Sequence, residues 1–149
     1  MTITARAALA VALALGAAVP HATAATIAAG YYMEQRVNSC AQRDLCFLNF
    51  SAVPAGKTLI LTDVSCTASV GSGSVLVATQ VARSGDGDHS GRRPIPPVFT
   101  YQNGQDRNYQ LQTKTMLIVQ AGQVPWIATN YSAKANSLIV DCTIAGVLK

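Results

Sequence analysis

From residue 25 onward, apolar and polar residues alternate with a period of two wherever the pattern is clear. In Ile60-Leu61-Thr62-Asp63-Val64-Ser65-Cys66-Thr67-Ala68, Cys66 falls on one side with Ile60, Val64 and Ala68, while Asp63 and Ser65 fall on the other. In Leu138-Ile139-Val140-Asp141-Cys142-Thr143-Ile144, Cys142 sides with Leu138, Val140 and Ile144, opposite Asp141 and Thr143. Successive side chains of a strand point to opposite faces, so this is the signature of half-buried strands. No window places apolar residues at i, i+3, i+4 and i+7 between caps, so no helix of consequence is expected. The pattern predicts about eight strands, near 27–37, 45–52, 57–70, 74–83, 97–102, 109–119, 124–131 and 137–147.

Pro54-Ala55-Gly56, Gly71-Ser72-Gly73, Asn103-Gly104 and Ala121-Gly122 punctuate these runs with residues that tolerate the positive φ of tight turns. Many short strands at this spacing predict an all-β fold, an antiparallel β-sandwich that is jelly-roll-like. An internal echo, Val53-Pro54-Ala55-Gly56-Lys57 against Val119-Gln120-Ala121-Gly122-Gln123, suits two related halves, each echo ending one strand and opening the next.

Composition divides the 149 residues in two, because 17 apolar residues fall within the first 24. Arg6, the uncharged run Ala7 to Val19 and Ala22-Thr23-Ala24 read as a secretory signal peptide, residues 1–24, cleaved near Ala24. The run is too short to span a bilayer, and no later segment qualifies, so no membrane span is expected. Residues 25–149 then form a single secreted or periplasmic domain, with 17 charged residues against 35 Ser, Thr, Asn and Gln. That balance excludes a disordered chain, a coiled coil and a transmembrane bundle. A charge of +3, from ten Lys and Arg against seven Asp and Glu, is too sparse for a nucleic-acid binder, and none is expected as a partner.

An even count of four cysteines in an exported chain implies two disulfides. Cys66 and Cys142 each lie on the apolar face of a strand, so they are expected to pair, leaving Cys40 and Cys46 as a local clip. Closing the longer loop is worth roughly 3–5 kcal/mol in the chain-entropy model. A zinc site is disfavoured because there is no C-x2-C pair.

Ser84 to Pro97 breaks the rhythm with three Gly and three Pro, reading as a long loop that cannot be a regular strand. Asp86, Asp88, Ser90 and Gly91 match the first half of a calcium loop, but Pro97 stands where the closing Glu belongs, and no cofactor or metal is assigned. After cleavage His89 is the only histidine, and it lies in this loop rather than in a held position; no G-x-S-x-G or H-E-x-x-H occurs. Glu34 is the sole glutamate. No catalytic residue is assigned and the chain is read as not an enzyme. The candidate ligand surface is the segment 84–109, through Arg92, Arg93, Tyr101 and Asn103. Trp126, alternating with Val124 and Ala128, is expected in the core.

The F-x-x-V-P-A-G-K-T-L run from Phe50 to Leu59, the A-G-Q-x-P segment from Ala121 to Pro125 and the late D-C-T-I-A-G strand from Asp141 to Gly146 carry a resemblance. Over residues 45–147 the chain resembles short secreted proteins of unknown function from Gram-negative bacteria. The resemblance implies a β-sandwich and a periplasmic or extracellular address, and it transfers no site residue. The expected function is a non-enzymatic binding or structural domain whose partner is a protein or glycan at the cell exterior. The alternatives are a lectin-like carbohydrate-binding module and a small secreted hydrolase with an unrecognised site.

Overall fold

The computed structural model describes residues 25–85 and 91–149. They form ten strands: β1 (Thr26–Ala28), β2 (Tyr31–Ser39), β3 (Leu45–Asn49), β4 (Thr58–Val70), β5 (Leu76–Arg83), β6 (Arg93–Pro94), β7 (Pro97–Asn103), β8 (Asp106–Gln120), β9 (Pro125–Tyr131) and β10 (Leu138–Leu148). All pairings are antiparallel, in a six-stranded sheet ordered β1-β2-β10-β4-β8-β7 and a four-stranded sheet ordered β3-β9-β5-β6. The sheets pack as a sandwich around one apolar core that includes Leu59, Leu61, Val64, Leu111, Val119, Ile127, Val140 and Ile144. Among the described residues no helix is long and apolar enough to cross a membrane.

Two strands exceed the sequence expectation. The run 27–37 is a hairpin, because Ala29 (φ 49°) and Gly30 (φ 81°) form a two-residue turn with both φ values positive. Hairpin geometry overrode a run whose apolar content alone had looked continuous. The second addition is β6, within the stretch expected to contain no strand. Its two residues pair with Gln80 and Val81 of β5, after which Ile95 donates its N–H to Thr79 O at 2.8 Å and buries its side chain in the core. The chain then crosses to the other sheet, where β7 pairs with β8. Prolines 94, 96 and 97 suit this crossing, since an edge segment tolerates residues without a backbone donor.

Both disulfides are present, Cys40–Cys46 and Cys66–Cys142, and no described cysteine is free. Cys66 and Cys142 are direct register partners on adjacent strands β4 and β10, with Cα atoms 4.1 Å apart and both side chains buried. Two disulfides place the folded chain in an oxidising compartment.

The echoed corners are the same turn. Lys57 N–H donates to Pro54 O at 3.1 Å and Gln123 N–H to Gln120 O at 3.0 Å, with Gly56 (φ 70°) and Gly122 (φ 77°) at the position where a type II turn needs positive φ. The corners also bond to each other, Val53 N–H to Gln123 O at 3.0 Å and Gly122 N–H to Val53 O at 2.9 Å. One lies between β3 and β4, the other between β8 and β9.

Within β4 one face assignment changes. Pairing shifts between Leu61 and Asp63, so Leu59 and Leu61 point into the core while Ile60 leaves the face of Cys66 and is only half-buried. A β-bulge breaks strict alternation, which a period-two reading does not detect. The partner irregularity lies between Ala145 and Gly146 of β10. A Cβ on Gly146 would meet the Ile60 carbonyl oxygen and lie 2.8 Å from Leu61 Cα, both backbone atoms that cannot swing aside. Gly146→Ala should therefore lower the thermal midpoint by at least about 8 °C, the effect of a few kcal/mol in a domain of this size. Thermal unfolding by circular dichroism checks this, and a shift under about 2 °C contradicts the close approach.

Candidate functional site

Period two also decides what the six-stranded sheet shows to solvent. Its register aligns two rows on the outer face: Tyr101, Asn108, Ser69 and Ile139 in one, Val98, Gln110, Thr67 and Asp141 in the next, each read across β7, β8, β4 and β10. Neighbouring strands lie about 4.8 Å apart, so the rows form a regular lattice of side chains on a stiff support. A groove of about 480 Å³ runs over them, lined by Thr67, Ser69, Tyr101, Asn108, Gln110 and Asp141, with Ile139 and Thr100 at its margins.

The groove owes its wall to a second bulge. Pairing of β7 with β8 shifts between Phe99 and Tyr101, so Thr100 is the extra residue; its hydroxyl donates to Asn108 O at 2.9 Å. Past it Tyr101 stands opposite Asn108 on the outer face, 58% exposed. On the other flank Gln35 donates through Nε2 to both oxygens of Asp141, at 2.8 and 2.9 Å, which fixes the carboxylate's orientation. By contrast the side chains of Thr67, Ser69, Asn108 and Gln110, and the Tyr101 hydroxyl, make no hydrogen bond with another described residue. The groove is therefore an array of hydroxyls and amides with one exposed aromatic ring, Tyr101, and one oriented carboxylate.

The candidate ligand residues read from sequence are distributed over different surfaces. Tyr101 lines the groove, and Asn103 ends β7 beside the turn at Gly104. Arg93 belongs to β6 and lines a separate cleft of about 280 Å³ with Arg83, Met116 and Ile118. Arg92 places its guanidinium 5.7 Å from the Trp126 ring centre, a cation–π contact. Neither cavity contains both Tyr101 and an arginine. Trp126 itself is not core: Ile127, Thr129 and Tyr131 are the β9 residues turned inward, and Trp126 lies half-buried on the outer face, its ring edge-to-face with Phe47 at 5.8 Å. Alternation had correctly grouped Trp126 with Ala128, but the face they share is the outer one.

Asp86, Asp88, His89 and Ser90, and with them the calcium and histidine readings, lie outside the described residues; so does the signal peptide. Among the described residues no cluster of three metal-ligating side chains occurs.

Glu34 occupies a site that sequence reasoning missed. Its side chain faces the core from β2 at 2% exposure and accepts from the Tyr32 hydroxyl, from Arg36 Nε at 2.7 Å, and from the Ser51 N–H and hydroxyl at 2.9 and 3.0 Å. Arg36 closes an ion pair with it at 2.5 Å. The network links β2 of one sheet to the segment following β3 of the other. Its only sequence signal was the alternation Tyr32, Glu34, Arg36, three polar-capable residues on one face. It lines neither cavity, so it reads as an internal anchor.

No family model, curated protein or solved structure matches the chain.

Two phenols carry a pH consequence. Burial, then the hydrogen bond to Glu34 and its charge, hold Tyr32 well above the ordinary phenol range. Burial pushes Tyr131 up to about 12, against the opposing bond to Thr129 at 2.7 Å. Both folded values exceed the unfolded value near 10, so the folded state prefers the neutral phenols. Their contribution is complete below pH 10 and is lost as pH rises through 10 toward 12 and above. Stability should fall steadily over that range, and phenolate absorbance should show two of the five tyrosines ionising only with unfolding. Ionisation of all five below the unfolding transition would contradict this.

Proposed function

We propose that the chain is a non-enzymatic binding domain of the periplasm or cell exterior, exported by residues 1–24 with cleavage near Ala24. The fold reading is a jelly roll. Counting β6 and β7 as one strand, the fifth, that changes sheets, and omitting β1, the sheets run 1-8-3-6-5 and 2-7-4-5; apart from the second appearance of strand 5 this is a 1-8-3-6 and 2-7-4-5 pair, and the echoed corners fall at equivalent places in the two halves. This is the arrangement of two Greek keys wound together.

The observation that carries the binding role is the set of polar side chains in the groove, the exposed Thr67 and Gln110 and the half-buried Ser69 and Asn108, which serve no hydrogen bond inside the described protein yet stand at fixed strand positions. Surface residues of no consequence can be polar, but they do not need to converge on one concavity flanked by an exposed aromatic ring. Sites are generally concave, with a few convergent polar groups. A hydrolytic reading has weaker support, because the buried carboxylate of Glu34 is engaged by three residues and faces the core.

The double variant Thr67→Ala/Gln110→Ala tests this. Its thermal midpoint should stay within about 3 °C of the parent, since exposed positions without partners change stability by about 0.5 kcal/mol or less each. Its retention on cell-envelope fractions of the producing bacterium, measured with fluorescently labelled mature protein, should fall several-fold. Unchanged retention places the binding surface elsewhere, and turnover of chromogenic esterase, glycosidase or protease substrates by the parent protein overturns the non-enzymatic reading.

A further inference from the structure

Resting on that reading, we infer that the groove takes a neutral carbohydrate chain lying across the strands. Three features select this class. The first is charge: the lining contains no Lys or Arg, and its single ionisable acid, Asp141, faces the groove from β10. A carboxylate repels phosphate, sulfate and uronate groups while accepting strongly from hydroxyl donors. Both arginines of the sequence-predicted surface lie outside this groove, so nothing in it neutralises an anion.

The second is the hydrogen-bonding chemistry. Asn108 and Gln110 each offer an amide with two donor hydrogens and an acceptor oxygen, while Thr67 and Ser69 offer hydroxyls that both donate and accept. A sugar hydroxyl is likewise both donor and acceptor, so every one of these groups can be matched, with Asp141 held ready by Gln35. A peptide strand would seek a sheet edge for its main chain; here the groove lies on the sheet face over β8, β4 and β10, each paired on both sides, with the edge strand β7 only at its rim.

The third is shape. The Tyr101 ring, 58% exposed beyond the Thr100 bulge, offers an aromatic surface to the apolar C–H face of a pyranose, while Ile139 supplies the apolar contact across the groove. Side chains within each row repeat at the strand spacing of about 4.8 Å, close to the length of one sugar unit, so successive rings of a chain lying along a row can meet successive strands β8, β4 and β10.

Isothermal titration calorimetry of the mature protein with dextran, laminarin and hydroxyethyl cellulose, and with polygalacturonate and heparin as anionic controls, tests the inference. Binding to at least one neutral glycan is expected. Tyr101→Ala should weaken it about tenfold or more, Tyr101→Phe much less, and Arg93→Ala not at all. Binding confined to the anionic glycans, or lost in Arg93→Ala, overturns the inference. If no glycan binds but a photo-crosslinking amino acid at position 110 captures an envelope protein, and Thr67→Ala abolishes capture, the groove is a protein site; the glycan assignment fails while the binding role stands. If neither glycan binding nor crosslinking occurs, both readings fail.

Discussion

The register of β10 against β4 governs the molecule. These strands lie at the middle of the six-stranded sheet, and a slip of one residue would send Leu138, Val140, Cys142 and Ile144 to solvent and Asp141 and Thr143 into the core. Cys66 and Cys142 exclude that slip covalently, because the two sulfurs can join only when both residues face the same side and stand opposite each other. Everything on the outer face follows from the same pairing. Asp141 comes beside Thr67, and Ile139 beside Ser69, only in the register the disulfide holds. The crosslink is buried, yet it determines the composition of the exposed groove.

A second constraint acts toward one edge of the large sheet, at β2 beside the short edge strand β1. There β2 has a polar inward face, Tyr32, Glu34 and Arg36, in place of an apolar one. A lone buried carboxylate would be strongly unfavourable, and removing one partner of such a cluster leaves the others unsatisfied. Here Arg36, Tyr32 and the Ser51 N–H and hydroxyl satisfy it together, so the network tolerates burial and ties the sheets at this edge. Specific geometry rather than apolar area joins the two layers there.

What the sequence disclosed and what it concealed divide along a physical line. Alternation is a property of one strand, so the Cys66 and Cys142 faces, the turn at Asn103-Gly104 and the echoed corners were all readable residue by residue. The groove is a property of four strands in register. Thr67, Gln110 and Asp141 are far apart in the chain, and each alone is an ordinary solvent-facing polar residue. Of the residues singled out beforehand only Tyr101 lines the groove, because the guiding signal was loop length, and loop length points to Arg92 and Arg93 on the other sheet. Bulges account for two departures from strict alternation: Ile60 leaves the core face at one, and Thr100 is inserted at another. Trp126 shows the limit of alternation, which groups residues by face without saying which face is buried.

The groove arises from a departure from symmetry. Corners at Gly56 and Gly122 relate the two halves, and a strictly matched pair of halves would give sheets of equal width. The chain departs from this at Pro94-Ile95-Pro96-Pro97, where β6 leaves the small sheet after two residues and β7 continues on the edge of the large one. Ile95, buried between them, anchors the crossing, while the prolines limit further pairing on the side it leaves. The consequence is that β7 widens the large sheet and brings Tyr101 to the rim of a face that would otherwise end at β8. The same short proline-rich crossing that interrupts the strand rhythm of the sequence thus supplies the aromatic wall of the groove.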